Sequence, residues 1–64
     1  MISDFKERLQ EEQSDLQEKI TKLNRFIGTE SFDKIDDVQQ ALLGTQLQAM
    51  LTYQTCLDER LYRL

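Results

Sequence analysis

The sequence predicts an all-α fold: an antiparallel helical hairpin, two long helices joined by a short turn, that self-associates into a helical oligomer. Three observations predict it. Proline is absent, and the good helix formers Ala, Leu, Gln, Glu, Lys and Arg dominate. Apolar residues recur at helical spacing on both sides of a single break, the stretch KITKLNRFIGTESF. Finally, a 64-residue chain buries only about 60% of its unfolded surface and needs some supplement to its core. Cys56 is the only cysteine, so no internal disulfide can supply it. The absence of histidine removes zinc-type ligand spacing. Self-association remains, and residues 1–64 read as one domain.

The first helix is expected from about Ser3 to Ile27. Ile2, Leu9, Leu16 and Leu23 recur every seven residues, with Phe5, Glu12, Lys19 and Phe26 at the companion three-residue offset. This is a heptad pattern with an apolar a row and a d row that is polar in its middle. On that pattern Lys19 points toward the packing seam. Ser3 or Asp4 can cap the start, and Gly28 stands where a left-handed C-cap residue is expected. Residues 29–36, TESFDKID, form the connection, with one short helical turn around Ser31 to Lys34. Asp36 or Asp37 then caps the second long helix, which runs close to Leu64. Its main stripe is Leu43, Leu47, Met50, Leu57, Leu61 and Leu64, interrupted by Gln54. A second stripe, Leu42, Ala49, Tyr53 and Cys56, lies beside it, and Leu51 and Tyr62 widen the apolar surface. One partner helix covers a single stripe of about 100°, so the surplus points to a second copy. Gly44 costs about 1 kcal/mol relative to alanine in a helix; either a close helix–helix crossing or a tolerated surface glycine would explain it.

Charge and chemistry exclude several functions. Eight Lys and Arg against twelve Asp and Glu give a net charge of −4, which argues against duplex DNA or RNA as a partner. No apolar run approaches the ~20 residues that span a bilayer. Without histidine, neither Ser-His nor Cys-His activation is possible, and Cys56 reads as a small buried hydrophobe. Glu7, Glu11, Glu12, Asp15 and Glu18 read as a solvated face, with no turn to gather them around a metal. The chain is therefore expected not to be an enzyme and to use no cofactor. One cysteine and no signal-like segment suggest a reducing, cytoplasmic setting.

The break between the helices packs Lys19, Lys22 and Arg25 beside Phe26 and Phe32. Two readings fit. Cations near a helix C-terminus interact well with its carbonyls, and Lys19 with Asp15 and Lys22 with Glu18 make favourable i,i+4 pairs. Alternatively, Lys19 and Lys22 neutralise phosphates in a pocket where a flat base stacks on an aromatic ring.

FKERLQEEQSDLQEKITKLNRFI, then Phe32, then ALLGTQLQAMLTYQTCLDERL carry a resemblance over nearly the whole chain. Matched in order are Arg8-Leu9 with Glu12, Leu16, KITKLNRFI, Leu42-Leu43, Gln46, Met50, Tyr53, Leu57 and Arg60. On these residues the sequence resembles the phage anti-CBASS protein 2 family of cyclic-oligonucleotide sponges, and related small phage helical-hairpin proteins. The resemblance implies compact oligomers, commonly hexamers, that hold cyclic di- and trinucleotides at protomer interfaces. It implies a phage protein that sequesters host immune signals in the host cytoplasm without cleaving them. Carried over residue by residue, it implies that Phe5 stacks on a base and that Lys22, with Lys19 second, contacts phosphate. It further implies that Thr21 and Asn24 hydrogen-bond a base edge or phosphate, and that Arg8 and Arg60 reach phosphate from neighbouring protomers. The alternative function is a small protein-interaction module that inhibits or adapts a host protein.

Overall fold

The computed structural model describes residues 2–64, with side chains from Asp4 onward. Two 26-residue helices, α1 (Ile2–Ile27) and α3 (Asp37–Tyr62), flank a four-residue helix α2 (Glu30–Asp33). α1 and α3 lie antiparallel in a rod of 47 × 15 × 14 Å. No described helix is long and apolar enough to cross a membrane.

The end of α1 departs from expectation. Gly28 does not take a left-handed conformation, and its N–H donates to the Arg25 carbonyl at 3.1 Å. The Thr29 N–H donates to the Phe26 carbonyl at 3.0 Å, so the last turn tightens into i→i+3 bonds that use up its orphan carbonyls. Thr29 does the work assigned to the glycine. Its hydroxyl donates to the Phe26 carbonyl at 2.6 Å and accepts from the Phe32 N–H at 3.3 Å, ending α1 and capping α2 at once. At the other end, α1 extends back to Ile2, which places Asp4 in the first turn and not at the cap. The Ser3 side chain lies outside the described residues.

α3 begins as the sequence predicts, with the Asp36 carboxylate accepting from the Val38 N–H at 3.0 Å. Gln40 braces the connection from α3: its amide nitrogen donates to the Phe32 carbonyl at 3.0 Å and the Ile35 carbonyl at 3.1 Å. Phe26 and Phe32 meet edge to face, with centroids 5.9 Å apart. Both rings are thereby committed to closing the elbow.

Leu9, Leu16, Ile20 and Leu57 form the buried core, with Leu47, Met50 and Leu61 packed against it. The seam on α1 keeps the predicted row of Leu9, Leu16 and Leu23 but not its companions. At about 100° per residue, Leu9, Gln13, Leu16, Ile20, Leu23 and Ile27 share an arc of roughly 80°. Glu12 and Lys19 lie about 60–80° from Leu9 on the same wheel. Rotating the helix to bury Ile20 and Ile27 instead of Glu12 and Lys19 avoids desolvating two charges. Lys19 is accordingly exposed and does not point into the seam. On α3 the main stripe does face α1 from Leu43 to Leu61, while Leu64 lies past the helix end and is exposed. Gln54 is accommodated by a polar crosslink: the Asp58 carboxylate accepts from the Gln13 amide at 2.7 Å and the Gln54 amide at 3.2 Å.

The second stripe of α3 is uncovered in the single chain. Leu42 is 56% exposed and Tyr53 43%, and Val38, 63% exposed, extends the stripe toward the start of α3. Cys56 is exposed as well and is not the buried hydrophobe expected, because this stripe turns away from α1. Nor does Gly44 mark a crossing within the hairpin, since a Cβ built there meets nothing within 4 Å. Gly44→Ala should therefore raise the melting temperature by about 4–8 °C, the effect of about 1 kcal/mol in a domain this small. A thermal melt checks it. A lowered melting temperature would instead put a second chain against that position.

Candidate functional site

Three grooves divide among them all but one of the residues singled out from the sequence. The first, about 400 Å³, runs between Arg8, Lys19 and Tyr53, and is also lined by Glu11, Glu12, Asp15 and Leu16. Two cations face three carboxylates here, so one chain presents a site that is net negative. A phosphate would meet repulsion in it. Lys19 thus sits in a groove whose charge opposes the role assigned to it.

The second groove, about 200 Å³, shares Arg8 and Glu12 with the first. Phe5, Leu9 and Arg60 complete it. Phe5 and Arg8 come from the first turns of α1 and Arg60 from the last turns of α3, and the antiparallel pairing joins them at the open end of the rod. Two guanidiniums outnumber one carboxylate. Phe5 is 48% exposed and lines the groove with both arginines. Arg8 is held by Asp4 at 3.0 Å, but both side chains are well exposed. Such surface pairs contribute little, so the guanidinium can be exchanged to a stronger anion at small cost.

The third groove, about 270 Å³, lies elsewhere on α1 and gathers Gln17, Glu18, Thr21, Lys22 and Arg25. It carries the predicted Thr21 and Lys22 with a second cation, Arg25, but no aromatic ring. The Thr21 hydroxyl already donates to the Gln17 carbonyl at 3.0 Å. Asn24 is exposed and lines none of these grooves. The i,i+4 pairs predicted for Lys19 with Asp15 and Lys22 with Glu18 do not form. Among the described residues the ion pairs are Asp4–Arg8 and Glu59–Arg63. The two lysines thus remain available to other anions.

Sequence reasoning missed Tyr53 and Glu12 as groove residues. Tyr53 read as part of an apolar stripe and Glu12 as part of a solvated face. Only the pairing of α1 with α3 shows that each borders a groove. Among the described residues, no group of three or more His, Cys, Asp or Glu side chains is placed to hold a metal ion.

A Sequestin family profile matches residues 3–63. The chain belongs to the Sequestin family. Neither a curated protein nor a solved structure matches it. The match takes in both long helices almost end to end, including Phe5, Arg8 and Arg60. The Sequestin name denotes a protein that sequesters. The Phe5–Arg8–Arg60 groove of this Sequestin chain is small beside the ~300–1,000 Å³ of ordinary ligand pockets. On one chain it brings together an aromatic ring and two cations with little enclosure.

Proposed function

We propose that this chain is a phage-encoded anti-defence protein that binds host cyclic di- or trinucleotides and holds them intact in the host cytoplasm. Family membership supports sequestration. The observation that carries the choice of ligand is the convergence of Phe5, Arg8 and Arg60 in one groove. A stacking ring flanked by two guanidiniums suits a ligand that combines flat bases with phosphates. The exposed stripe Val38, Leu42, Tyr53 and Cys56 supports a homo-oligomer, a dimer or larger such as a hexamer, in which a second copy covers this apolar surface. The limited enclosure of the groove fits the same assembly, with Thr21 and Lys22 reaching the ligand from a neighbouring protomer. With no histidine in the sequence, no general acid or base of that kind is at hand to turn the ligand over.

The test is a thermal-shift panel of cyclic di- and trinucleotides on the pure protein, followed by recovery of the ligand after denaturation. The expected result is a raised melting temperature with at least one cyclic nucleotide, which is then recovered chemically unchanged. Linear products accumulating with time would overturn the non-enzymatic reading. No shift with any member would overturn the sponge reading. A second reading draws on the same exposed stripe: a module that docks it on a host protein. That reading expects no nucleotide response and a host protein co-purifying in stoichiometric amount.

A further inference from the structure

We infer that a row of hydrogen bonds down one flank of α3 sets the rotation of that helix against α1, and so decides which of its apolar stripes is buried. The inference is independent of what the protein binds. At about 100° per residue, Gln40, Gln54 and Asp58 fall roughly 60–100° to one side of Leu57, and Leu42 and Tyr53 fall roughly 40–60° to the other. The first row carries directional contacts. Gln40 donates to the Phe32 and Ile35 carbonyls at the elbow, and the Asp58 carboxylate accepts from Gln13 midway along α1. Among the described residues, the Gln13–Asp58 bond is the one side-chain hydrogen bond that crosses from α1 to α3, and both ion pairs lie within a single helix.

The observed rotation is not the one that apolar burial would choose. It places Gln54 in the seam, where its Oε1 is buried with no hydrogen-bond partner among the described residues. A buried polar atom left unpaired is costly. The same rotation leaves Leu42 56% and Tyr53 43% exposed. Rotating α3 by about 50° would bring Leu42 and Tyr53 onto α1 and release Gln54 and Leu47, with Leu57, Met50, Leu43 and Leu61 still in the seam. Apolar contacts are non-directional and permit this. The hydrogen bonds do not, because the rotation would carry Asp58 away from Gln13 and Gln40 away from its two carbonyls. The unpaired Oε1 is thus the penalty of an orientation that the amide bonds impose. Its effect is to keep the Leu42–Tyr53 flank on the outside of the hairpin.

Nuclear Overhauser spectra of the parent and of Gln13→Leu/Gln40→Leu test this. In the parent, Leu47 should give cross-peaks to the cluster of Leu9, Leu16, Ile20 and Leu57 that it packs against. In the double variant those cross-peaks should be lost, while cross-peaks from the Tyr53 ring to the same cluster strengthen. Adding Gln54→Leu to the double variant should restore the parent pattern, because the main stripe is then apolar throughout and burial favours it. Should the double variant fail to fold, Gln13→Leu alone gives the same readout, with a mixture of the two patterns expected. A variant that keeps the parent pattern would mean that burial, within the chain or against a second copy, sets the rotation, and would overturn the inference. Loss of the Leu47 cross-peaks that Gln54→Leu does not reverse would overturn it as well, by showing that the bonds supply stability and not orientation.

Discussion

Leu57→Ala should strip the hairpin of most of its cooperative melting transition. Among the described residues Leu57 is the one side chain with no exposed surface, and it sits where α3 meets Leu9, Leu16 and Ile20. Truncating such a leucine costs about 2–5 kcal/mol, the lost transfer energy plus the cavity left behind. A core this small supplies about 3–5 kcal/mol at most. One substitution therefore removes nearly everything a single chain has to spare. Circular dichroism should show a broad, low-amplitude melt whose midpoint rises with protein concentration, because association then carries the remaining stability. Leu64→Ala is the control, since Leu64 is exposed past the end of α3 and should change little. A Leu57→Ala melt within a few degrees of the parent would mean that the buried cluster is not what holds the fold.

Arg60→Ala should leave the melt nearly unchanged and weaken cyclic-nucleotide binding by about 1.5–3 kcal/mol, the range for a hydrogen bond to a charged group. That corresponds to about tenfold or more in Kd. Arg60 is exposed and makes no ion pair among the described residues, so folding loses little with it. Arg8→Ala should behave alike apart from its surface pair with Asp4. Lys22→Ala should also lose affinity, but from the other side of the site. Chains carrying Arg8→Ala, mixed and exchanged with chains carrying Lys22→Ala, should recover a fraction of intact sites if the two residues come from different protomers. If Arg60→Ala binds every tested nucleotide as the parent does, the groove at the open end is not the site.

Much of the fold was legible because it is written locally. The elbow, the Asp36 cap and the Leu43-to-Leu61 stripe each depend on residues a few positions apart. The rotation of α1 was not legible in the same way. Heptad spacing places Leu9, Leu16 and Leu23 on the seam under either reading, and whether the companions are Glu12 and Lys19 or Ile20 and Ile27 is decided by the cost of burying charge. Gly28 misled for a related reason: a glycine at the end of a helix permits a left-handed cap but does not require one, and the Thr29 hydroxyl offered the carbonyls another partner. Cys56 read as buried because one helix alone does not show which of two apolar stripes meets the partner. At the site, Phe5, Arg8 and Arg60 were singled out by the family resemblance alone. Their meeting across the ends of two helices was not legible, and neither were the acidic surroundings of Lys19.

The brace of Gln40 across Phe32 and Ile35 gives the rod a direction. Every contact that builds the elbow is short in sequence, so the loop-closure entropy is small and that end can form early. The pairing of α1 with α3 then proceeds as a zipper, from the Phe26–Phe32 contact toward Phe5 and Arg60. Those last turns close latest and open first, since helix termini have the smallest opening free energies of a folded chain. A ligand lodged between Phe5, Arg8 and Arg60, as proposed, would be a clasp at the mouth of the zipper. It would bind only when the two helices of the rod are together, and its residence would hold shut the segment that thermal motion would otherwise part.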